Sequence, residues 1–189
     1  MEITPKFVEK VLASATLLFT AQEISQAFDV MCQSITQRLE HQDVVALPVM
    51  NGGLMTSAEI FKRVNFPMTM SYIHASRYGG EVSGRTSIHW KREPDVSLEG
   101  KTVLVIDDIL DGGLTLSAIL DYCQAMGAKA VYTAVLLDKV NARAENAIAH
   151  ADFTGLTCGN EYVFGFGLDY HEYLRNLPQI YRVAPEHML

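Results

Sequence analysis

Three acids, two glycines and a threonine lie close together in the middle of the chain, between residues 107 and 115. The segment reads Asp-Asp-Ile-Leu-Asp-Gly-Gly-Leu-Thr. Glycines let the backbone come close to a ligand, so that amide N–H groups at a helix start can point at a phosphate. Carboxylates repel a phosphate, but they accept hydrogen bonds from sugar hydroxyls and bind Mg²⁺. The segment therefore predicts a site for a phosphorylated sugar.

A strand before this segment and a helix after it would hold these residues in place. Residues 103–106 are a short apolar run rich in β-branched side chains, which is typical of a strand buried on both faces of a parallel sheet. Leu116, Ile119 and Cys123 recur at the spacing of one helical face, and Gly127 is placed to end that helix. The acids thus follow the end of a strand, the edge at which open α/β sheets bind ligands.

The whole segment resembles the phosphoribosyl pyrophosphate signature of type I phosphoribosyltransferases, in which four apolar residues, two acids and two apolar residues precede Asp-x-Gly-x-Thr. The resemblance implies that Asp107 and Asp108 hold the ribose hydroxyls and contribute to a Mg²⁺ site. It also implies a loop that wraps the 5′-phosphate, formed by Asp111, Gly112, Gly113, Leu114 and Thr115. The glycine spacing fits neither a Walker loop nor a dinucleotide-binding fingerprint.

A second glycine turn, Asn51-Gly52-Gly53, follows another apolar segment. Alone, it would be interpreted as a plain turn. Beside the signature, its position resembles the family's pyrophosphate-binding loop, whose first peptide is often cis, so Asn51 and Gly52 are expected to bind phosphoribosyl pyrophosphate. Family members often carry a lysine or arginine where this chain has Asn51.

Residues 76–85 contain three glycines and several charged or polar residues. Two interpretations stay open, a solvated hairpin loop and a lid that closes during catalysis to exclude water. The segment is similar to the family's long loop that carries a Ser-Tyr pair. Here Arg77 separates Ser76 from Tyr78, so all three are candidates for the residue that closes on pyrophosphate.

An aromatic block at residues 161–178 resembles the hood of hypoxanthine-guanine phosphoribosyltransferases and contains Gly-x-Gly-Leu-Asp-Tyr-x-Glu-x-x-Arg. The resemblance implies that Tyr162 stacks on the purine and that Val163 binds the base edge through its backbone. Asp169, grouped with these purine residues, is expected to hold Mg²⁺ or a water bound to it. Arg175 is expected to reach pyrophosphate.

Lys139 ends the apolar segment at residues 130–137. The matching lysine in purine-specific relatives donates to the exocyclic oxygen of a 6-oxopurine. A lysine cannot accept a hydrogen bond from an amino group, so Lys139 favours hypoxanthine or guanine over adenine. Glu161 stands where some relatives have a further lysine beside that oxygen.

The order of helical and strand patterns predicts an α/β fold with a mainly parallel sheet. The resemblance implies the type I phosphoribosyltransferase fold, in which helices flank the central sheet and a small C-terminal hood covers its edge. We expect one domain over residues 1–189, with a helical segment at 1–40, broken near 18–21, and the hood and a terminal strand at 151–189. Strands are predicted at residues 44–50, 66–75, 86–90, 103–106, 130–137, 162–168 and 180–183.

The composition limits the partners that the protein is expected to bind and indicates the cellular compartment in which it works. The formal net charge of −7 argues against a nucleic-acid-binding surface, which should be basic. The three cysteines are widely separated, which favours reduced thiols in a cytoplasmic protein. Without an apolar run near the ~20 residues that cross a bilayer, no membrane partner is expected. A homo-oligomer, dimer or tetramer, is expected by analogy with the fold class.

These resemblances imply a purine salvage reaction in which hypoxanthine or guanine and phosphoribosyl pyrophosphate give IMP or GMP and pyrophosphate, with Mg²⁺ as cofactor. The purine must lose a proton as its ring nitrogen attacks, and Asp111 is the best placed general base. Two alternatives remain. One is a regulator that keeps the fold and binds phosphoribosyl pyrophosphate as a signal. The other is a related enzyme that acts on xanthine, adenine or a pyrimidine.

Overall fold

The computed structural model describes residues 2–77 and 88–188. The helices are α1 (Pro5–Ser14), α2 (Ala21–Leu39), α3 (Gly53–Arg63), α4 (Leu114–Ala125) and a 3-10 turn at Pro185–His187. The strands are β1 (Thr16–Phe19), β2 (Val44–Pro48), β3 (Met68–Met70), β4 (His74–Arg77), β5 (Ile88–Arg92), β6 (Thr102–Leu110), β7 (Ala130–Lys139), β8 (Phe153–Cys158), β9 (Val163–Phe164) and β10 (Ile180–Arg182).

A parallel five-stranded sheet, in the order β3-β2-β6-β7-β8, forms the centre of the molecule. Every residue of β2 is buried, as a strand covered on both faces requires. One face packs on α2 and α3, where Phe28 and Ile60 meet Leu104. The other face packs on α4, where Ile119 meets Val105. The predicted α/β architecture with helices on both sides of a parallel sheet is confirmed.

Helix α4 follows the sequence pattern closely. Leu116, Ile119 and Cys123, which recur at helical spacing, are its buried residues. Gly127 lies just beyond the helix with a φ of +80°, the left-handed conformation that suits glycine at a helix end. The sequence pattern therefore predicts both the buried face and the end of the helix that follows the acidic segment.

The hood is a three-stranded antiparallel sheet in the order β1-β10-β9. Its first strand, β1, lies where the sequence predicts only a break between two helices, and it pairs with residues far along the chain. The strand predicted at 162–168 is shorter, because Gly165, Phe166 and Gly167 all have positive φ values. These three residues turn the chain out of an extended conformation.

Two other predicted boundaries differ from the structure. The sequence places residues 151–189 in the hood, but strand β8, at Phe153–Cys158, pairs with β7 in the central sheet. The predicted strand at residues 66–75 is divided between β3, an edge strand, and β4, which pairs with β5. Within the described residues, no helix has the length and apolar character needed to cross a membrane. The three cysteines are free thiols.

Candidate active site

A cleft of about 360 Å³ opens where β2 and β6 leave the sheet. Its wall contains all the residues that the sequence assigns to phosphoribosyl pyrophosphate, namely Asn51, Gly52, Asp107, Asp108, Asp111, Gly112, Gly113, Leu114, Thr115 and Arg175. Asp169 of the hood also lines the cleft. The parallel sheet brings these segments together because the carboxyl ends of neighbouring parallel strands share one edge.

Two helices begin at this cleft, and a glycine lies at or just before the first residue of each. Helix α3 starts at Gly53, and Gly113 precedes α4 with a φ of +81°. Within the residues that the structure describes, no side chain caps either helix start. In α3 the Gly53 and Leu54 amides already donate to the Val49 and Asn51 carbonyl oxygens, at 2.8 and 3.2 Å. The start of α4 is therefore the clearer site for an anionic ligand, and both helix dipoles favour a negative charge at this cleft.

The glycines of the first turn are needed because two loops meet at very close range. A Cβ atom on Gly52 would lie 2.0 Å from an Asp108 carboxylate oxygen. A Cβ atom on Gly53 would lie 2.5 Å from the Ile106 carbonyl oxygen. The Met50–Asn51 peptide is cis, as the resemblance to the pyrophosphate loop leads one to expect.

Asp107 and Asp108 form a crowded acidic pair. Burial raises the pKa of both carboxyl groups, and the charge of Asp108 raises the pKa of Asp107 further, well above its usual range. Arg175 partly opposes this effect on both residues. Two adjacent, buried carboxylates that repel each other are suited to binding sugar hydroxyls or a divalent cation.

The three acids assigned to Mg²⁺ do not form a ready-made metal cage. Among the described residues, no group of three or more His, Cys, Asp or Glu side chains is arranged to hold a metal ion. Mg²⁺ is commonly bound by only one or two carboxylates together with water and substrate phosphates. The paired carboxylates of Asp107 and Asp108 fit that kind of site, with Asp169 across the cleft.

Asp111 and Lys139 come together although 28 residues separate them in sequence. The Lys139 ammonium donates to an Asp111 carboxylate oxygen at 3.2 Å. Their contact follows from the register of the sheet, since Leu110 at the end of β6 pairs with Asp138 of β7, and Asp111 and Lys139 are the next residues along the chain. The proposed base, Asp111, therefore lines the cleft and is in direct contact with the proposed purine donor, Lys139.

The hood is fixed against the first glycine turn. Arg175 donates to the Gly167 carbonyl oxygen at 2.8 Å and forms an ion pair with Asp169 at 2.7 Å. It also contacts Glu172 at 3.0 Å. A Cβ atom on Gly167 would lie 2.6 Å from the Gly52 carbonyl oxygen, so the backbones of the hood and the turn touch.

Of the residues assigned to the purine, Asp169 lines the cleft described above, whereas Tyr162, Val163 and Lys139 do not. Tyr162 packs against Tyr170 with 5.6 Å between ring centroids, and burial and the charge of Asp169 raise the pKa of its phenol. The Tyr162 carbonyl accepts from the Val183 amide at 2.8 Å. In an antiparallel pair the next residue, Val163, turns its own N–H and C=O away from β10. This orientation suits a backbone contact to a base edge.

Asn51 and Glu161 stand where relatives often carry a positive side chain. Among the described residues that line the cleft, Arg175 alone is cationic, so no other side chain there supplies the positive charge that Asn51 lacks. An oxygen of Glu161 is buried without a hydrogen-bond partner among the described residues.

Ser76 and Arg77 lie at the end of β4, while Tyr78 and the rest of the candidate lid lie outside the described residues.

Arg143 was not identified from the sequence, yet its guanidinium contacts the backbone beside both members of the Asp111–Lys139 pair. Its partners on the chain are mainly carbonyl oxygens, which every residue has. A single arginine in a polar segment gives no sequence signal for such a role. Only the presence of a charged partner, Asp138, could have drawn attention to it.

Comparison with known proteins identifies the family. The sequence model of the phosphoribosyl transferase domain matches residues 14–171. The chain belongs to the phosphoribosyltransferase family. It is 32% identical over 178 residues to the hypoxanthine-guanine phosphoribosyltransferase of Bacillus subtilis, covering 94% of each chain. It is 33% identical over 170 residues to the bifunctional protein TilS/HprT of Listeria monocytogenes, a match that covers 90% of this chain.

The chain spans about a quarter of the length of that Listeria relative, 26%. A crystal structure of a hypoxanthine phosphoribosyltransferase from Staphylococcus aureus superimposes on this chain with a TM-score of 0.86, 27% identity and full coverage of both chains. The type I phosphoribosyltransferase fold expected from the sequence is thereby confirmed.

Proposed function

We propose that this chain transfers the 5-phosphoribosyl group from phosphoribosyl pyrophosphate to hypoxanthine or guanine, giving IMP or GMP and pyrophosphate in purine salvage. The observation that carries the proposal is the contact between Asp111, in the phosphate-binding loop, and Lys139, at the next strand end. The contact supports the proposal because Lys139, the proposed donor to the oxygen of a 6-oxopurine, lies next to the proposed sugar-phosphate site. The names of the relatives agree with this reaction.

The sugar and its phosphate are bound by the segment after β6. Amides of residues 112–115 receive the 5′-phosphate, because the uncapped start of α4 offers N–H groups and a favourable dipole. Asp107 and Asp108 accept hydrogen bonds from the ribose hydroxyls. As the bond to pyrophosphate breaks, positive charge develops on the ribose, and these nearby carboxylates stabilise it.

The leaving pyrophosphate is held between the first glycine turn and the hood. Asn51 and Gly52 offer backbone amides at the start of α3, and Arg175 supplies the positive charge. Asp107, Asp108 and Asp169 would hold Mg²⁺, which would neutralise part of the negative charge of the leaving group. The contact between Gly167 and Gly52 keeps the two binding elements at a fixed separation.

The base is oriented by Lys139, the Val163 backbone and the Tyr162 ring. Lys139 donates to the exocyclic oxygen, a contact that an exocyclic amino group cannot accept. The Asp111 carboxylate takes the proton that the purine loses as its ring nitrogen attacks the ribose. Because Lys139 contacts Asp111 directly, the same pair couples base recognition to proton transfer.

One assay tests the proposed function. Purified protein is incubated with Mg²⁺, phosphoribosyl pyrophosphate and, separately, hypoxanthine, guanine, xanthine or adenine, and nucleotide formation is measured. We expect product from hypoxanthine or guanine and little from adenine. If no base gave a nucleotide while phosphoribosyl pyrophosphate still bound, the protein would be the regulator and not the enzyme. Preferential use of xanthine would identify the related enzyme.

We further propose that the protein works as a homo-oligomer, a dimer or tetramer, in the cytoplasm. An apolar groove of about 390 Å³ runs beside α3 and the edge strand β3. Leu54, Met70 and Tyr72 line it and are 53%, 62% and 40% exposed. A second copy of this chain covering the groove would bury these side chains. The free thiols fit a reducing compartment.

A further inference from the structure

Arg143 donates hydrogen bonds to the backbone on both sides of the Asp111–Lys139 contact. One guanidinium nitrogen, Nη1, donates to the carbonyl oxygens of Leu110 at 3.0 Å, Asp111 at 2.6 Å and Lys139 at 3.0 Å. The other, Nη2, forms an ion pair with Asp138. The Arg143 side chain is 16% exposed and that of Asp138 is 9% exposed, so these contacts are largely shielded from water.

The segment that carries Arg143 is itself fastened to the phosphate-binding loop. The Arg143 Nε donates to the Ala149 carbonyl at 2.9 Å, which closes the segment on itself. The Ala144 amide donates to the Gly112 carbonyl at 3.0 Å. These two hydrogen bonds hold the segment around Arg143 in place. Arg143 itself does not line the cleft.

A guanidinium suits this task because its planar fork has five N–H donors in a fixed arrangement. Carbonyl groups at strand ends have left the regular ladder and need partners when they are buried. Asp138 offsets the charge of the buried arginine and sets the direction of the fork. A neutral or flexible side chain at this position could satisfy at most part of the set.

We propose that Arg143 is a positioning residue, which holds the ends of β6 and β7 so that the Asp111 carboxylate and the Lys139 ammonium keep their contact. The inference rests on the proposed function, because it assigns the two residues their roles as base and purine donor. Arg143 touches neither substrate. It acts on turnover through the geometry of the pair, and a small misplacement of reacting groups lowers rates strongly.

The test compares Arg143→Met and Arg143→Lys with Arg63→Met. Arg63 is a matched control, since its side chain is 19% exposed and ion-paired to Asp29 and Glu59, away from the cleft. We expect Arg143→Met to lower kcat by roughly 10- to 100-fold. KM for phosphoribosyl pyrophosphate should stay within about twofold, because other groups bind it. Arg143→Lys should lie between, and Arg63→Met should keep its kcat while losing stability.

A second measurement separates positioning from general support. If Arg143 acts through Asp111, its substitution should cost much less kcat in an Asp111→Asn background than in the native chain, because the effects of coupled residues are not additive. Arg143→Met leaves Asp138 as an unpaired buried acid, and this variant could fail to fold. In that case the double variant Asp138→Asn/Arg143→Met, which removes both charges, takes the place of Arg143→Met in the same comparison.

Three results would overturn the inference: native kcat in a folded Arg143→Met protein, an equal loss of kcat in both backgrounds, or a comparable loss in Arg63→Met. In all three the native protein still forms nucleotide. Failure of the proposed function is distinct, since the native protein would then form no nucleotide from any base and both proposals would fall.

Discussion

Asp107 and Asp108 are neighbouring carboxyl groups in the wall of the cleft, where burial raises the pKa of both. An acid whose pKa is raised in the folded state binds protons more tightly there than in the unfolded chain. Folding stability therefore falls as the pH rises from about 4 through the raised native pKa. At neutral pH the pair destabilises the protein in the absence of a ligand. Substrate hydroxyls or Mg²⁺ would offset that cost.

Replacing one member of the pair should separate stability from activity. We expect Asp107→Asn to raise the melting temperature at pH 7, by roughly 2–4 °C for each kcal/mol of relieved repulsion in a chain of this size. The same change should weaken binding of phosphoribosyl pyrophosphate. Thermal unfolding at pH 4 and pH 7 measures the first effect, which should shrink at the lower pH. A lower melting temperature at pH 7 would contradict the assignment.

At the scale of elements, the site depends on the approach of the first glycine turn to the end of β6. Gly52→Ala places a Cβ atom against the Asp108 carboxylate, although its backbone φ of −58° suits alanine. We expect KM for phosphoribosyl pyrophosphate to rise by about 10-fold or more, because the two loops must separate. Steady-state kinetics with saturating hypoxanthine measures this change.

Gly100→Ala is the matched control for that substitution. Gly100 has a φ of +72°, and among the described residues nothing lies within 4 Å of a Cβ atom built there. Alanine at this position should cost about 1–2 kcal/mol of stability through its backbone and leave kinetics unchanged. If both variants altered KM alike, the contact between Gly52 and Asp108 would not explain the effect.

The elements also show what sequence could and could not predict. Residues 107–115 are consecutive and follow an apolar strand, so the sequence could place them together at a strand end, where they line the cleft. Strand β1 has four residues and pairs with β10 across most of the chain, which leaves no local pattern. Strand β8 mixes buried and exposed positions. Arg143 binds carbonyl groups, and carbonyl groups leave no trace in a sequence.

At the scale of the whole molecule, the exposed groove beside α3 and β3 lies next to the first glycine turn. Met50 lines both the groove and the cleft. A second copy of the chain on the groove would therefore also support the first glycine turn, the proposed pyrophosphate loop. Oligomerisation and affinity for phosphoribosyl pyrophosphate should then change together.

Met70→Glu tests this link by placing a charge in the lining of the groove. We expect the variant to sediment as a smaller species than the native protein in analytical ultracentrifugation, since a buried unpaired charge disfavours association. The matched control is Val30→Glu, which changes an exposed apolar residue on α2 that is 66% exposed and does not line the groove. A native protein that sediments as a monomer would remove the proposed oligomer.

The proposed reaction depends most directly on Asp111 and its contact with Lys139. The decisive measurement is the rate of IMP formation from hypoxanthine by the native protein and by Asp111→Asn, with binding of phosphoribosyl pyrophosphate measured in parallel. We predict that the variant binds phosphoribosyl pyrophosphate almost normally but turns over about 10²-fold more slowly or worse. Normal turnover in the variant would contradict the role of Asp111 as the base.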